Sequence, residues 1–304
     1  GQSRVARHLA MAYESHKRRF GQPPVGLWPA EGALSTPFLN QIADAGFHWT
    51  ASSHSVLKHS AGIHAKTTAP WQAPEGTPGD ITLFFRNEQL SDLIGFEYAN
   101  WHGRDAARHF MSEIDAIHLQ DPRNLIPVFL DGENAWEYYP YNGWHFFNDL
   151  YEDLAKNPHI RTVTLSEAAA GQHDRRSRLP HLTAGSWVYG TLSTWIGNPD
   201  KNRAWELLCD VKQCADRALD SSRLSEADRA EVLRRLTGCE SSDWFWWLGD
   251  YNSPQSVACF DSLFRENIKA LYRLLKLPVP GVLDHPISVG GGAPESGGTM
   301  RRAN

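Results

Sequence analysis

The sequence predicts an α/β fold in which the strands form a mainly parallel sheet or barrel, followed by a helical region. Helix-like and strand-like segments alternate through residues 1–165, and the strand-like segments are continuously apolar, as in parallel sheets. From residue 200 onward, apolar residues recur at helical spacing instead. The 304 residues, 41% of them hydrophobic, suffice for one large domain or two smaller ones.

The first part of the chain carries the alternation. Short strand-like segments are predicted at 24–28, 48–52, 81–87, 124–132 and 160–169, and the first of them is an apolar run. Amphipathic spacing predicts helices at 3–20, 36–47, 103–120 and 143–158, the second of them capped by Thr36. In such folds the chemistry lies at the carboxyl ends of the strands.

The second part predicts a helical bundle. Helices are expected at 200–220, 225–238 and 260–277, and their starts carry the capping residues Asp200, Ser225 and Asp261. The segment 289–304 is rich in glycine and poor in apolar residues, which is typical of a linker. We therefore divide the chain into an α/β part at 1–170, a helical part at 171–280 and a flexible tail at 281–304.

Composition excludes several classes of protein. The net charge of −5 and the short basic runs argue against nucleic-acid binding. No apolar run approaches the roughly 20 residues that span a membrane. The four cysteines show no paired spacing, which indicates reduced thiols and a cytoplasmic globular protein. The motifs of nucleotide cofactors, serine nucleophiles and zinc sites are not found, so neither a cofactor nor a metal is expected.

Two acidic stretches carry the candidate chemistry. GLWPAEGALS at 26–35 contains Glu31, and VFLDGENAWEYYP at 128–140 contains Asp131. Both acids directly follow predicted strands, so both are expected at one edge of the fold. A retaining glycosidase needs two such carboxyl groups about 5–5.5 Å apart. The alternative, in which Glu31 caps a helix and Asp131 binds a backbone turn, remains open on spacing alone.

Several segments resemble glycoside hydrolase family 57. WPAE at 28–31, LDGENAWEYYP at 130–140 and SSDWFWWLGD at 241–250 are similar to its third, fourth and fifth motifs. FFRNEQLSDLIGF at 84–96 and GSWVYGTLSTWIGNPDKNRAWELL at 185–208 resemble further segments of the family. The order and spacing agree up to residue 277, and the residues after Asp131 resemble the α-amylase and amylopullulanase members.

The resemblance implies a partial, incomplete β/α barrel followed by a helical bundle region that completes the wall of the active site. It implies a retaining hydrolase of starch-type or glycogen-type α-glucans and maltooligosaccharides, with Glu31 as nucleophile and Asp131 as general acid/base. Asp131 must hold a proton near neutral pH, so burial and the charge of Glu31 are expected to raise its pKa. The role of Glu133 stays open.

The resemblance also implies a set of substrate contacts: Trp28, His54, Arg86, Asp92, Trp136, Asp243, Trp244, Trp246 and Trp247. The 12 tryptophans fit this expectation, because aromatic faces stack on the C–H faces of sugar rings. Two competing interpretations stand beside it. A single histidine in a loop is more often simply solvated, and a run such as SDWFWW also occurs as the core stripe of a helix.

The first two motifs of the family are not found in this sequence. The resemblance therefore implies a partial barrel, which would require the missing N-terminal half or a homo-oligomer, or would lack activity. The alternatives are a 4-α-glucanotransferase or branching enzyme of the same family, and an inactive glucan-binding fragment. A metal-dependent deacetylase on a related barrel would need a His/Asp ligand set that the sequence does not signal.

Overall fold

In the computed structural model of the chain, the described residues are 1–132, 136–171, 175–221 and 223–293. They form two compact units, the first ending at Thr191 and the second beginning at Leu192. This boundary lies later in the chain than the division at 170 that the sequence suggested. No described helix is long and apolar enough to cross a membrane.

The first unit is mixed α/β and contains a five-stranded sheet with the order β1-β2-β4-β3-β5. The strands are β1 (Gly26–Leu27), β2 (Trp49–Ser53), β3 (Trp71–Gln72), β4 (Thr82–Arg86) and β5 (Ser177–Arg178). Strands β1, β2 and β4 run parallel, whereas β3 is antiparallel to β4 and parallel to β5. The predicted strands at 24–28, 48–52 and 81–87 are confirmed, and the described strands make an open sheet.

Helices connect and cover these strands. They are α1 (Gln2–Phe20), α2 (Thr36–Asp44), α3 (His54–Ala61), α4 (Glu88–Asp92), α5 (Gly103–Gln120), α6 (Trp144–Lys156) and α7 (Leu165–Gly171). Ser53 ends β2 and caps α3, because its hydroxyl accepts the Val56 N–H at 3.1 Å. Asn87 does the same between β4 and α4, accepting the Leu90 N–H at 3.0 Å. Both strands thus pass directly into helices at the same edge of the sheet.

Strand β4 divides the core into two faces. All five of its residues are buried, as expected for a strand covered on both sides. Leu83 and Phe85 pack in the cluster under the first three helices. Phe84 belongs to the opposite cluster, against which Trp28 packs. Because side chains alternate along a strand, Arg86 lies on the same face as Phe84.

The structure assigns no strand to residues 124–132, so that prediction is wrong. The backbone groups of this segment bind scattered partners instead of a neighbouring ladder. The Phe129 N–H donates to the Ser91 hydroxyl at 3.3 Å, and the Phe129 carbonyl accepts from Arg86 Nε at 2.9 Å. Pro127 has no N–H to donate, and its carbonyl accepts the Asn87 N–H at 2.8 Å.

The strand predicted at 160–169 is also wrong, because α7 begins at Leu165. A reciprocal capping box starts this helix. The Thr164 hydroxyl accepts the Glu167 N–H at 3.2 Å, and the Glu167 carboxylate accepts the Thr164 N–H at 2.7 Å.

The second unit is helical, as the sequence predicted. Its helices are α8 (Pro199–Leu219), α9 (Glu226–Cys239), α10 (Asp243–Trp247) and α11 (Pro254–Leu274). The predicted cap Ser225 is confirmed, but Asn198 caps α8 in place of Asp200, and Ser253 caps α11 in place of Asp261.

Asp261 lies inside α11, where it is 1% exposed and pairs with Arg265 at 2.7 Å. It also accepts the Ile287 N–H at 2.7 Å, and the Ser288 hydroxyl donates to the Leu248 carbonyl at 3.0 Å. Residues 281–293, predicted as part of a flexible tail, are thus held against the helices. Residues 294–304 lie outside the described part of the chain.

A buried lysine gives the second unit a testable pH dependence. Lys201 is 2% exposed and donates to the Thr194 carbonyl and to the Tyr251 hydroxyl, with its Nζ 4.8 Å from the Tyr251 ring centroid. Burial lowers its pKa to about 8, and the nearby charge of Asp250 opposes the shift. The folded chain therefore binds this proton less tightly than the unfolded chain does.

We expect the free energy of unfolding to rise with pH between about 8 and the lysine's ordinary value near 10.4, because the unfolded state holds more protons in that window. Urea denaturation at several pH values measures this slope. The Lys201→Met variant is the comparison, since it keeps the length of the side chain without the charge. A variant with the same slope as the wild-type chain would contradict the assignment to Lys201.

Candidate active site

Glu31 occupies a strained position at the end of β1. It lies in a short 3-10 turn, Ala30–Gly32, with φ 59° and ψ 19°. The Gly32 N–H closes the turn on the Pro29 carbonyl at 2.9 Å. The Gly32 carbonyl in turn accepts the Ser52 hydroxyl of the neighbouring strand at 2.6 Å. A left-handed conformation is costly for a residue with a Cβ, and such strain clusters at functional sites.

Trp187 holds the Glu31 residue at two points. Its backbone N–H donates to the Glu31 carbonyl at 2.9 Å, and its indole Nε1–H donates to Glu31 Oε2 at 2.7 Å. The second distance is short for an N–H donor, as expected when the acceptor is ionised. The site residue that the sequence analysis missed is therefore Trp187, 156 positions away. The signal for it in the sequence is the segment at 185–208, which resembles a segment of the family.

Three aromatic rings form a wall beside this carboxylate. Trp28 stacks on Phe129 with ring centroids 5.2 Å apart and an interplanar angle of 28°. Trp28 also contacts Trp187 at 5.2 Å, tilted by 60°. Such offset and tilted contacts are the favoured geometries of aromatic pairs. The wall joins the turn of Glu31 to the segment that leads to Asp131.

Asp131 follows this wall by two residues. It is partly buried. The chain before it is fixed through the two backbone hydrogen bonds of Phe129 and through Leu130, which packs against the cluster of α5 and α6. The structure thus brings Trp28 and the segments of both predicted catalytic acids to one region of the first unit.

Arg86 and Asp92 form an ion pair at 2.8 Å in the same region. Arg86 is 7% exposed, and its guanidinium carbon lies 5.4 Å from the ring centroid of Trp187. Its Nε donates to the Phe129 carbonyl at 2.9 Å. Arg86 is therefore engaged by protein groups on several sides.

His54 begins α3 and is half-buried. Burial lowers its pKa, the charge of Lys58 lowers it further, and Glu88 opposes the shift. Its imidazole is therefore neutral at neutral pH. The described contacts set it among Lys58, Glu88 and the backbone of Ala65, and they do not link it to Glu31.

Trp136 packs into the aromatic cluster of α6, with ring centroids 4.5 Å from Phe147 and 5.6 Å from Tyr139. The Tyr139 hydroxyl donates to the Ile94 carbonyl at 2.6 Å, and this hydrogen bond anchors the chain around Trp136 to the first unit. Glu133, for which no role was predicted, lies outside the described residues.

The remaining predicted contacts belong to the second unit. Asp243 is exposed and accepts the Ser241 hydroxyl at 2.9 Å. Trp244 donates its indole N–H to the Gly238 carbonyl at 2.8 Å, and Trp247 stacks on Phe260 at 4.4 Å. Trp246 contacts Tyr251 at 5.3 Å. All three tryptophans are partly buried. Each ring packs within this unit and also keeps some exposed surface.

No three His, Cys, Asp or Glu side chains within the described ranges are arranged to hold a metal ion. The described residues of this region offer carboxyl groups, aromatic faces and the buried cation of Arg86.

Gly32 is the residue that permits the close contact between the turn and Trp28. A Cβ added there would lie 2.8 Å from Trp28 Cη2, on a backbone with φ +58°. We expect Gly32→Ala to lower the free energy of unfolding by about 1–3 kcal/mol more than Gly79→Ala does. Gly79 has a similar φ of +67° but no atom within 4 Å of its added Cβ. Gly79→Ala therefore introduces the backbone strain without a steric clash. Equal denaturation midpoints for the two variants would contradict the predicted clash.

Comparison with known proteins decides the family. The sequence profile described as glycosyl hydrolase family 57 matches residues 1–180, which is more than half of the chain. The chain belongs to glycosyl hydrolase family 57. A curated relative of this family-57 chain, from Methanocaldococcus jannaschii, is named "Putative alpha-amylase" and is 25% identical over 212 residues. That match covers 64% of this chain and 44% of the relative, so the chain spans less than half of that protein.

Solved structures show the same fold. A family-57 branching enzyme from Thermococcus kodakaraensis has a TM-score of 0.74 at 15% identity, covering 97% of this chain and 72% of that one. An α-amylase from Thermotoga maritima has a TM-score of 0.68 at 14% identity, covering 90% and 63%. A 4-α-glucanotransferase from Thermococcus litoralis has a TM-score of 0.61 at 16% identity, covering 86% and 44%. At these identities the likeness concerns the fold of the family-57 chain.

Proposed function

We propose that this chain is a retaining glycoside hydrolase that acts on α-glucans of the starch or glycogen type. The observation that supports it most is the setting of Glu31, whose carboxylate is held by Trp187 on a left-handed turn at a strand end. Family membership and the names of the similar proteins, an α-amylase among them, supply the substrate class. The candidate linkages for cleavage are α-1,4 and α-1,6.

In the proposed mechanism, Glu31 is the nucleophile. One of its carboxylate oxygens attacks the anomeric carbon and forms a glycosyl ester, while the glycosidic C–O bond breaks. The carboxyl group of Asp131 gives its proton to the departing oxygen. In the second step the Asp131 carboxylate takes a proton from water, the resulting hydroxide oxygen bonds to the anomeric carbon, and Glu31 is released. Two inversions leave the product with the original configuration.

The chain's own groups support these roles. The indole N–H of Trp187 is directed at Glu31 Oε2 and favours the ionised carboxylate that a nucleophile needs. The wall of Trp28 and Phe129 offers an apolar face against which a sugar ring can stack. His54, Asp92 and Trp136 are proposed as further polar and aromatic contacts of the substrate. For the second unit we propose the same role for Asp243, Trp244, Trp246 and Trp247.

The proposed architecture is a partial β/α barrel followed by a helical bundle. Three parallel strands, each followed by a helix at the same edge, support this proposal. The proposed partners are an α-glucan or maltooligosaccharide and, for a partial barrel, a complementing segment or a second copy of the chain. We place the protein in the cytoplasm, in keeping with its reduced cysteines.

A transferase is the second candidate, and the similarity to a branching enzyme and to a 4-α-glucanotransferase favours it. Transfer differs from hydrolysis only in the acceptor: a sugar hydroxyl replaces water in the second step. A third candidate is a glucan-binding protein that keeps the aromatic groups without turnover.

The test is to incubate the purified chain with maltoheptaose and with pullulan and to separate the products by chromatography. Hydrolysis yields only shorter chains, with the α configuration retained in the first product by nuclear magnetic resonance. Products longer than maltoheptaose would favour the transferase. A folded chain that leaves both substrates intact but is retarded by an immobilised glucan would overturn the enzymatic proposal in favour of binding.

A further inference from the structure

Trp187 holds the nucleophile proposed for this chain at two points. Trp187 fixes the Glu31 backbone through one hydrogen bond at 2.9 Å and the carboxylate through another at 2.7 Å. The φ of 59° at Glu31 is unfavourable for any residue but glycine, so the turn needs such external support. The orientation of the Glu31 carboxylate therefore depends on where the indole ring of Trp187 lies.

The indole ring is in turn held by a buried cation. The guanidinium carbon of Arg86 lies 5.4 Å from the ring centroid, within the range of a cation–π contact. Arg86 cannot move freely, because its Nη1 pairs with Asp92 at 2.8 Å and its Nε donates to the Phe129 carbonyl at 2.9 Å. Its side chain is only 9% exposed. A guanidinium with these engagements is poorly placed to bind a sugar directly.

A cation beside an indole has a chemical consequence for the carboxylate that accepts the indole N–H. Positive charge near the ring makes the Nε1–H a stronger hydrogen-bond donor, because it withdraws electron density from the indole. A stronger donor holds the ionised carboxylate more firmly, and hydrogen bonds to charged groups are the strong ones. The Phe129 carbonyl, which fixes Arg86, lies two residues before Asp131, so the same contacts reach the segment of the second acid.

We propose that Arg86 and Trp187 form a positioning pair for Glu31: the buried guanidinium fixes and polarises the indole, and the indole N–H orients the nucleophilic carboxylate. The inference rests on the proposed role of Glu31 in catalysis. It assigns Arg86 to the support of the nucleophile and not to direct contact with substrate, and it adds Trp187 to the residues on which the reaction depends.

The test combines spectroscopy with kinetics on the full chain. Indole groups are labelled with ¹⁵N, and the Nε1–H resonance of Trp187 is assigned from its loss in Trp187→Phe. We expect this resonance to lie downfield of the other indoles and to move upfield in Glu31→Gln, where the acceptor is neutral. It moves upfield in Arg86→Met as well, which keeps the bulk of the side chain without the charge.

The kinetic arm uses the same Arg86→Met variant. We expect kcat on maltoheptaose to fall at least about tenfold while KM changes less than about threefold, because the loss affects the reacting carboxylate and not substrate binding. Arg86→Lys, which keeps the charge, is expected to recover part of kcat. Arg176→Met is the matched control: Arg176 is 8% exposed and paired with Asp80 at 3.0 Å, and its loss should leave both the indole resonance and the kinetics as in the wild-type chain.

Each outcome decides the inference. It is overturned if the Trp187 resonance does not respond to Glu31→Gln or to Arg86→Met in a folded variant. It is also overturned if Arg86→Met raises KM with kcat unchanged, which is the signature of a substrate contact. If the wild-type chain turns over no α-glucan, the proposed function fails, but the resonance shifts still show whether the pair controls the Glu31 carboxylate.

Discussion

Glu31→Gln is expected to lower kcat on α-glucans by about three orders of magnitude or more while the chain stays folded, because an amide cannot form the glycosyl ester. The substitution is nearly isosteric. The side-chain carbonyl of glutamine still accepts the Trp187 indole N–H, so the strained turn keeps its partner. Initial rates with maltoheptaose measure the loss, and circular dichroism confirms the fold.

The matched control for this substitution is Glu75→Gln, which makes the same chemical change at an exposed residue of a loop. Its rate should equal that of the wild-type chain. If Glu31→Gln kept more than about a tenth of the wild-type kcat, a charge-dependent nucleophile at this position would be contradicted.

Asp131→Asn is expected to lower kcat on maltoheptaose by about 10²- to 10⁴-fold, because the leaving sugar oxygen no longer receives a proton. The loss should be much smaller in the first step with α-maltosyl fluoride, since fluoride leaves without protonation. The second step still needs a base, so a glycosyl ester should accumulate in this variant. The comparison of the two substrates therefore separates the acid from the nucleophile.

The control for the second prediction is Asp115→Asn on the exposed face of α5. It should leave both rates unchanged. An Asp131→Asn variant whose burst of fluoride release slowed by the same factor as its turnover of maltoheptaose would contradict the role of Asp131 as general acid and indicate a role in folding or binding.

Parts of this fold could be predicted from local patterns. The apolar run Leu83–Phe85 predicted β4, because a strand buried on both faces is apolar at successive positions. The short segment at 48–52 predicted β2, although its buried Thr50 and Ser52 are polar. The amphipathic spacing of α5 and α11 predicted helices, because the apolar residues of a helix that packs on a core recur every three or four positions. The strand end at β1 predicted the position of Glu31, whereas Asp131 follows a segment that is not a strand.

Other parts depend on contacts that no local pattern contains. Residues 124–132 have the composition of a strand, yet the backbone groups of Phe129 are bound by the side chains of Ser91 and Arg86. The partnership of Trp187 with Glu31 joins residues 156 positions apart. The left-handed φ of Glu31 is likewise a result of those contacts, since glutamate has no local preference for it.

The most direct test of the two-carboxylate account is to trap the glycosyl ester. The Asp131→Asn variant is mixed with α-maltosyl fluoride, quenched in acid, digested with pepsin and analysed by mass spectrometry. The account predicts that the peptide containing Glu31 gains the mass of one maltosyl group, and that fragmentation places the sugar on the Glu31 carboxylate. A maltosyl group on another carboxylate, or release of fluoride with no covalent species in the burst phase, would contradict it.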